Sequence, residues 1–169
     1  MNQEINLLII KIGQHFKEKN LSLVTAESCT GGGLAYQISK EPKSSSILER
    51  GYITYSNPAK ESLLNVKPTT LQMHGAVSKE VAVEMAAGAL KNSQAQVSIA
   101  ITGIAGPDKV PHANNESQAE GTVWISYIDV FGNQITKKKD IKGTRAQFID
   151  LVIIFSLQIL ADQSKHLLN

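Results

Sequence analysis

Segments with helical periodicity alternate with strand-like segments along most of this 169-residue chain. Apolar residues recur at steps of three and four between Ile5 and Phe16, which predicts an amphipathic helix from about Glu4 to Lys19. Runs of apolar and β-branched residues predict strands at about 21–24, 51–56 and 95–103. Strands that alternate with helices indicate an α/β fold, in which helices cover both faces of the sheet.

Three later helices are indicated by their starting residues. Asn57 and Pro58 form a pair typical of an N-cap followed by a first-position proline. Ser78 is placed to open the next helix, and Thr144 with Gln147 forms a capping box before a long apolar segment. These signals predict helices that start near residues 58, 79 and 145.

The remaining strands are predicted as an antiparallel hairpin. Residues 121–129 and 133–141 are strand-like and are joined by a short turn from Asp129 to Asn133. The last helix should end near His166. We therefore expect one domain over residues 1–169, a three-layer α/β/α fold with a mixed sheet of about five strands.

Composition and charge exclude several classes of protein. The net charge is +2, the only basic run is Lys137–Lys139, and aromatic residues make up 5%, which argues against a nucleic-acid binder. Cys29 is the only cysteine, so no intrachain disulfide can form. The first residues lack the pattern of a signal peptide, and no uninterrupted apolar run reaches the roughly 18 residues of a membrane span. We therefore expect a cytoplasmic protein without a membrane partner.

Three polar clusters, each at the carboxyl end of a predicted strand, indicate where a ligand should bind. They read ESCTGGG, YSNPAK and TGIAGP, and begin at Glu27, Tyr55 and Thr102. In open α/β sheets, ligands collect outside the carboxyl ends of the strands. A glycine-rich strand-to-helix turn can present either a nucleophile or the free amides of a helix N-terminus.

Ser28 and Lys60 could together form a nucleophile and its base. A serine hydroxyl needs a base within hydrogen-bond reach, and none of the four histidines is well placed. Lys60 falls in the first turn of its predicted helix, where burial and the positive end of the helix dipole both disfavour an ammonium. A fall of about three units in its pKa, at a cost of about 4 kcal/mol, would make it a base near neutrality. Tyr55 could assist, although an exposed lysine and a half-buried tyrosine would produce the same pattern.

Five ordered segments carry a family resemblance: TAESCTGGG, GYITYSNPAKESLLNV, HGAVSKEVA, ITGIAGP and GTVWIS. In this order they resemble the CinA carboxy-terminal domain family, the nicotinamide-nucleotide amidases, from about Thr25 to Arg145. The resemblance implies hydrolysis of the carboxamide of nicotinamide mononucleotide in pyridine nucleotide (NAD) recycling, with neither a metal nor another cofactor. It implies Ser28 as nucleophile, Lys60 as base and Tyr55 as the assisting hydroxyl.

The resemblance also implies a set of substrate-binding residues. Amides from Thr30 to Gly32 are expected to form an oxyanion hole, and Arg145 to hold a phosphate. Glu27 is expected either to accept amides of its own loop or to contact the substrate, and Cys29 is a rival nucleophile. The complete expected set is Glu27, Thr30, Gly31, Gly32, Thr102, Gly103, Gly106 and Arg145.

Two departures from the family pattern affect the substrate side. Asp108, Lys109 and Val110 stand where the family usually has glycines, and Ile149 replaces a second arginine that is often found there. They leave open an alternative, a catalytically degenerate member that binds a nucleotide or a protein. The very apolar segment LVIIFSLQIL at 151–160 also predicts a homo-oligomer.

Overall fold

The computed structural model describes residues 2–105, 110–111, 117–118 and 120–167. In these residues the helices are α1 (Asn2–Glu18), α2 (Gly33–Lys40), α3 (Asn57–Leu64), α4 (Pro68–His74), α5 (Lys79–Lys91) and α6 (Arg145–His166). The strands are β1 (Leu23–Glu27), β2 (Leu48–Ile53), β3 (Val97–Gly103), β4 (Val110–Pro111), β5 (Ser117–Gln118), β6 (Thr122–Asp129) and β7 (Gln134–Asp140).

The main sheet is mixed and has five strands in the order β2-β1-β3-β6-β7. Strand β1 pairs in parallel with β2 and β3, whereas β3–β6 and β6–β7 are antiparallel. The expected α/β fold with about five strands is confirmed. Because β1, β2 and β3 are parallel, their carboxyl ends lie at one edge, where the three polar clusters follow them.

Helices cover both faces of the sheet. On one face, apolar side chains of α1, α2 and α6 pack with Leu23, Ile99 and Ile125. On the other face, side chains of α3, α4 and α5 pack with Val24 and Ala100. Alternation along β1 thus assigns odd-numbered side chains to the α2 face and even-numbered ones to the α3 face.

Other elements of the same chain cover helix α6 more fully than its apolar composition indicates. Val152, Leu157 and Leu160 are completely buried, and Phe155 and Ile159 are partly buried against the same core. The segment Arg145–Lys165 has the length and hydropathy of a membrane span, but it packs here as a core helix against α1 and the sheet. Much of the apolar surface of α6 is thus covered within the chain, while Phe155 and Ile159 stay partly exposed.

Local differences from the sequence-based predictions are small. The N-cap of α3 is Ser56, whose hydroxyl accepts from the amide of Ala59, so Asn57 is the first helical residue. The expected caps at Ser78 and at Thr144 are present, the latter as a complete capping box. Helix α4 and the short β4–β5 pair were not predicted.

Candidate active site

A cavity of about 320 Å³ opens at the edge where β1, β2 and β3 end. Its walls come from the end of β3, the segments after the three strands, the start of α3, the loop before α5 and the first residue of α6. The lining residues are Ser28, Cys29, Tyr55, Ser56, Asn57, Lys60, Ala76, Val77, Thr102, Gly103, Ile104, Ala105 and Arg145. Three of them, Ser28, Lys60 and Arg145, supply a hydroxyl, an amine and a guanidinium.

Ser28 continues the line of β1 by one residue. Its amide donates to the carbonyl of Ile101 at 3.0 Å, which extends the pairing of β1 with β3. By the alternation of β1, an even-numbered residue faces α3, and the side chain of Ser28 does meet a residue of that helix. The strand therefore aims the hydroxyl at the cavity before the chain turns into α2.

Lys60 reaches Ser28 from the first turn of α3. Its Nζ lies 3.0 Å from Ser28 Oγ and 2.8 Å from the carbonyl oxygen of Thr54. The side chain is 1% exposed, and burial lowers the pKa of its ammonium from the ordinary 10.5 to about 8. An ammonium loses hydration energy on burial, so the neutral amine is favoured.

The two contacts of Lys60 suit a base. A neutral amine has two N–H donors and one lone pair, and the Thr54 carbonyl can only accept. With one N–H donated to Thr54, the lone pair can accept the proton of the Ser28 hydroxyl. Thr54 is itself fixed, since its amide donates to the carbonyl of Glu27 at 2.8 Å.

The surroundings of Cys29 make its thiol unreactive. It is buried among apolar side chains of the core, and burial raises the pKa of its thiol to about 12. A thiolate is the nucleophilic form of cysteine, and it is scarce at neutral pH when the pKa is this high. Of the two neighbours, Ser28 is the one whose side chain contacts the Lys60 amine.

Tyr55 contacts Arg145 rather than Lys60. Its phenol accepts from Arg145 Nη2 at 2.7 Å, and Arg145 Nη1 donates to the carbonyl of Ala105 at 3.1 Å. Within the described residues the phenol makes no hydrogen bond to Lys60 or Ser28. The structure thus places Tyr55 at the rim, where it orients the guanidinium.

Glu27 points away from the cavity, toward α2. Its carboxylate is fully buried and accepts from the Thr30 hydroxyl at 2.7 Å and from the amides of Leu34 and Ala35 at 3.0 and 2.9 Å. The first of its two expected roles, accepting amides of its own loop, therefore matches the geometry. Thr30 also turns its hydroxyl inward.

Gly31 and Gly32 shape the turn without lining the cavity. Their φ angles are +59° and +92°, which side-chain-bearing residues seldom adopt. The amide of Gly31 donates to the carbonyl of Ser28, whereas the amides of Cys29, Thr30 and Gly32 find no acceptor in the described part of the chain. Thr30 and Gly32, two of the three residues whose amides are expected to form an oxyanion hole, thus have amides that are free to bind a ligand, as does Cys29.

Thr102 and Gly103 line the cavity, but each also has a structural task. The Thr102 hydroxyl donates to the carbonyl of Ala76 at 2.7 Å and so holds the loop before α5. A Cβ on Gly103 would come within 2.9 Å of the Thr122 carbonyl oxygen on the neighbouring strand. Gly106 lies outside the described residues.

Of the residues that depart from the family pattern, Val110 and Ile149 lie within the described part of the chain. Ile149 packs against the core and is not a lining residue. Asp108 and Lys109 lie outside the described residues. No group of three or more His, Cys, Asp or Glu residues in the described ranges could hold a metal.

Sequence reasoning missed the contribution of the loop before α5. Ala76 and Val77 line the cavity, and both belong to the motif HGAVSKEVA, to which no site residue was assigned. Small apolar residues carry no chemical signal of their own, so only the motif could have indicated them.

A three-layer α/β domain with a buried Ser–Lys pair at the carboxyl ends of parallel strands defines a hydrolase-like site. The model of the CinA C-terminal domain matches residues 6–164, and the chain belongs to this family. It is 40% identical over 162 residues to the nicotinamide-nucleotide amidohydrolase PncC of Escherichia coli K12, covering 96% of each chain. The corresponding protein of Pseudomonas putida is 37% identical over 158 residues, covering 92% of this chain and 96% of the relative.

Solved structures agree with this assignment. The competence/damage inducible protein CihA of Agrobacterium tumefaciens superposes with a TM-score of 0.87 at 34% identity, covering 94% of each chain. The competence damage-inducible protein A of Klebsiella pneumoniae gives 0.89 at 29% identity, covering 96% of this chain and 98% of that one.

Proposed function

We propose that this protein is a nicotinamide-nucleotide amidohydrolase that converts nicotinamide mononucleotide to nicotinate mononucleotide and ammonia. The observation that carries the proposal is the 3.0 Å contact between the buried Lys60 Nζ and Ser28 Oγ inside the cavity. The names of the full-length relatives support the choice of substrate. The reaction belongs to the recycling of NAD in the cytoplasm. We expect the protein to act as a homo-oligomer, in which a second copy would cover the partly buried Phe155 and Ile159 of α6.

Acylation begins with neutral Lys60. Its lone pair takes the Ser28 proton while Oγ attacks the carboxamide carbon, and the carbonyl oxygen becomes an oxyanion. The free amides of Cys29, Thr30 and Gly32 are the donors in the turn after Ser28 that can stabilise this charge. Lys60 then returns the proton to the leaving nitrogen, the C–N bond breaks, and ammonia leaves an ester on Ser28.

Deacylation uses the same base. Water gives its proton to Lys60 and attacks the ester carbon, and the bond to Ser28 Oγ breaks as this oxygen regains the proton. The net reaction consumes one water and one amide and yields a carboxylate and ammonium. No step requires a metal.

Arg145 is the residue proposed to bind the substrate phosphate. It lines the same cavity as Ser28, and its guanidinium is held at the rim by Ala105 and Tyr55. A guanidinium presents parallel N–H donors that match a phosphate bidentately. An arriving phosphate would compete with the Tyr55 hydroxyl for Nη2.

The test is ammonia release from nicotinamide mononucleotide by the purified protein, with nicotinamide riboside as the matched substrate without a phosphate. We expect release from the nucleotide and much slower release from the riboside. Binding of the nucleotide in calorimetry without any ammonia would instead favour the catalytically degenerate alternative.

A further inference from the structure

Glu27 is a buried carboxylate that the proposed chemistry does not use. It is 0% exposed, and no Lys, Arg or His side chain of the described residues forms an ion pair with it. Burying a charge without compensation is expensive. Here the compensation is the three hydrogen bonds from Thr30, Leu34 and Ala35, two of them from amides in the first turn of α2.

We propose that Glu27 is the positioning residue of the nucleophile, an internal anion that fills the N-terminus of α2 and thereby fixes Ser28. This inference rests on the proposed function of Ser28. Glu27 directly precedes Ser28, so holding its side chain and backbone leaves Ser28 little freedom. The side chain is tied to α2, and the carbonyl accepts from the Thr54 amide at 2.8 Å.

The same backbone contact connects nucleophile and base. The Thr54 amide is bound to Glu27, and the Thr54 carbonyl holds Lys60 Nζ at 2.8 Å. The position of Ser28 relative to Lys60 is therefore determined through Glu27 and Thr54. The Ser28 carbonyl adds a third restraint by accepting from Gly31.

A carboxylate is required because both of its oxygens accept. Oε2 accepts from Thr30 and Leu34, and Oε1 accepts from Ala35. In a glutamine, an NH₂ group replaces one of these two oxygens. The NH₂ group would face a protein donor, so that two donors would meet without an acceptor. The arrangement also means that this glycine-rich turn has no free helix N-terminus for a phosphate of the substrate.

The experiment uses a fluorophosphonate, which labels an activated serine without needing the nucleotide site. We expect E27Q to lower the second-order labelling rate of Ser28 and kcat by a similar factor, about 10- to 100-fold, since small misplacements of a reacting group have effects of this size. KM for nicotinamide mononucleotide should change by less than about threefold, and the number of binding sites per molecule should stay as in the wild type.

Glu84 offers a matched control. Its carboxylate accepts from the amide of Lys67 and the hydroxyl of Thr70 at the start of α4, away from the cavity. E84Q makes the same chemical change at another helix N-terminus and should leave labelling, kcat and KM unchanged per folded molecule. If E27Q does not fold, T30V removes only one donor to the carboxylate and should lower labelling and kcat together, by a smaller factor.

Three results would overturn the inference. One is wild-type labelling and kcat in E27Q. Another is a loss of labelling matched by an equal loss of binding sites, which would mean a purely structural role. If the wild-type protein is not labelled at Ser28, the serine nucleophile fails and this inference fails with it, which is distinguishable from a failure seen in E27Q alone.

Discussion

Replacing Lys60 with methionine should abolish activity and at the same time change how stability depends on pH. The folded protein holds this ammonium at a pKa of about 8, against the ordinary 10.5. Below pH 8 the group is protonated in both states, and the folded state carries the full cost of the buried charge. Between pH 8 and 10.5 only the unfolded chain holds the proton, so the stability of the wild type rises with pH.

The size of this effect follows from the two pKa values. For values of about 8 and 10.5, the cost is about 3 kcal/mol at pH 7 and falls to about 1 kcal/mol at pH 10. Methionine has no titrating group, so the stability of Lys60→Met relative to wild type should decrease by about 2 to 3 kcal/mol over this range. The loss of the hydrogen bonds to Ser28 and Thr54 changes the stability of Lys60→Met by the same amount at every pH. It therefore does not alter how the stability difference depends on pH.

Urea unfolding at several pH values between 7 and 10 measures this difference. Lys79→Met is the control, since Lys79 is exposed in the first turn of α5 and its loss should give a difference nearly independent of pH. A pH-independent difference for Lys60→Met would mean that Lys60 is not held with a lowered pKa, and the argument for a neutral base would fail.

Three further outcomes are expected. The rate of the wild type should rise with pH through an ionisation near 8. Lys60→Arg should be nearly inactive, because a guanidinium cannot give up its proton near neutral pH. An active arginine variant would mean that Lys60 acts only as a fixed positive charge. Arg145→Gln and Tyr55→Phe should mainly raise KM for the nucleotide, with less than about a tenfold loss of kcat, whereas a thousandfold loss of kcat in Tyr55→Phe would make the phenol a proton relay. Gly88→Ala should destabilise the fold by more than about 2 kcal/mol in urea unfolding, because the new Cβ would lie 1.9 Å from the Leu64 carbonyl oxygen; a gain of about 1 kcal/mol, as at an unhindered helix position, would contradict this packing.

Features set by a few neighbouring residues were predictable from the sequence. The capping box of Thr144 and Gln147 and the cap at Ser78 depend on side chains that bond within their own helical turn. The cap of α3 was misplaced by one residue because Ser56 and Asn57 are both good N-caps, and only the backbone path decides between them. Helix α4 has seven residues, too few for a helical period to stand out.

In the site, the contact between Ser28 and Lys60 could be predicted from the sequence, because the two residues follow neighbouring parallel strands. The contact between Tyr55 and Arg145 was not, since it joins residues 90 positions apart through the packing of α6. The packing of α6 against α1 could not be predicted from the segment LVIIFSLQIL either, because the two helices lie at opposite ends of the sequence.

The most direct test of the account compares Ser28→Ala with Cys29→Ala in ammonia release from nicotinamide mononucleotide. Losing the nucleophile should lower turnover by on the order of a thousandfold or more, while the buried Cys29 thiol, with its pKa near 12, should be replaceable with little loss. Full activity in Ser28→Ala together with loss of activity in Cys29→Ala would contradict the account and make this protein a cysteine amidase.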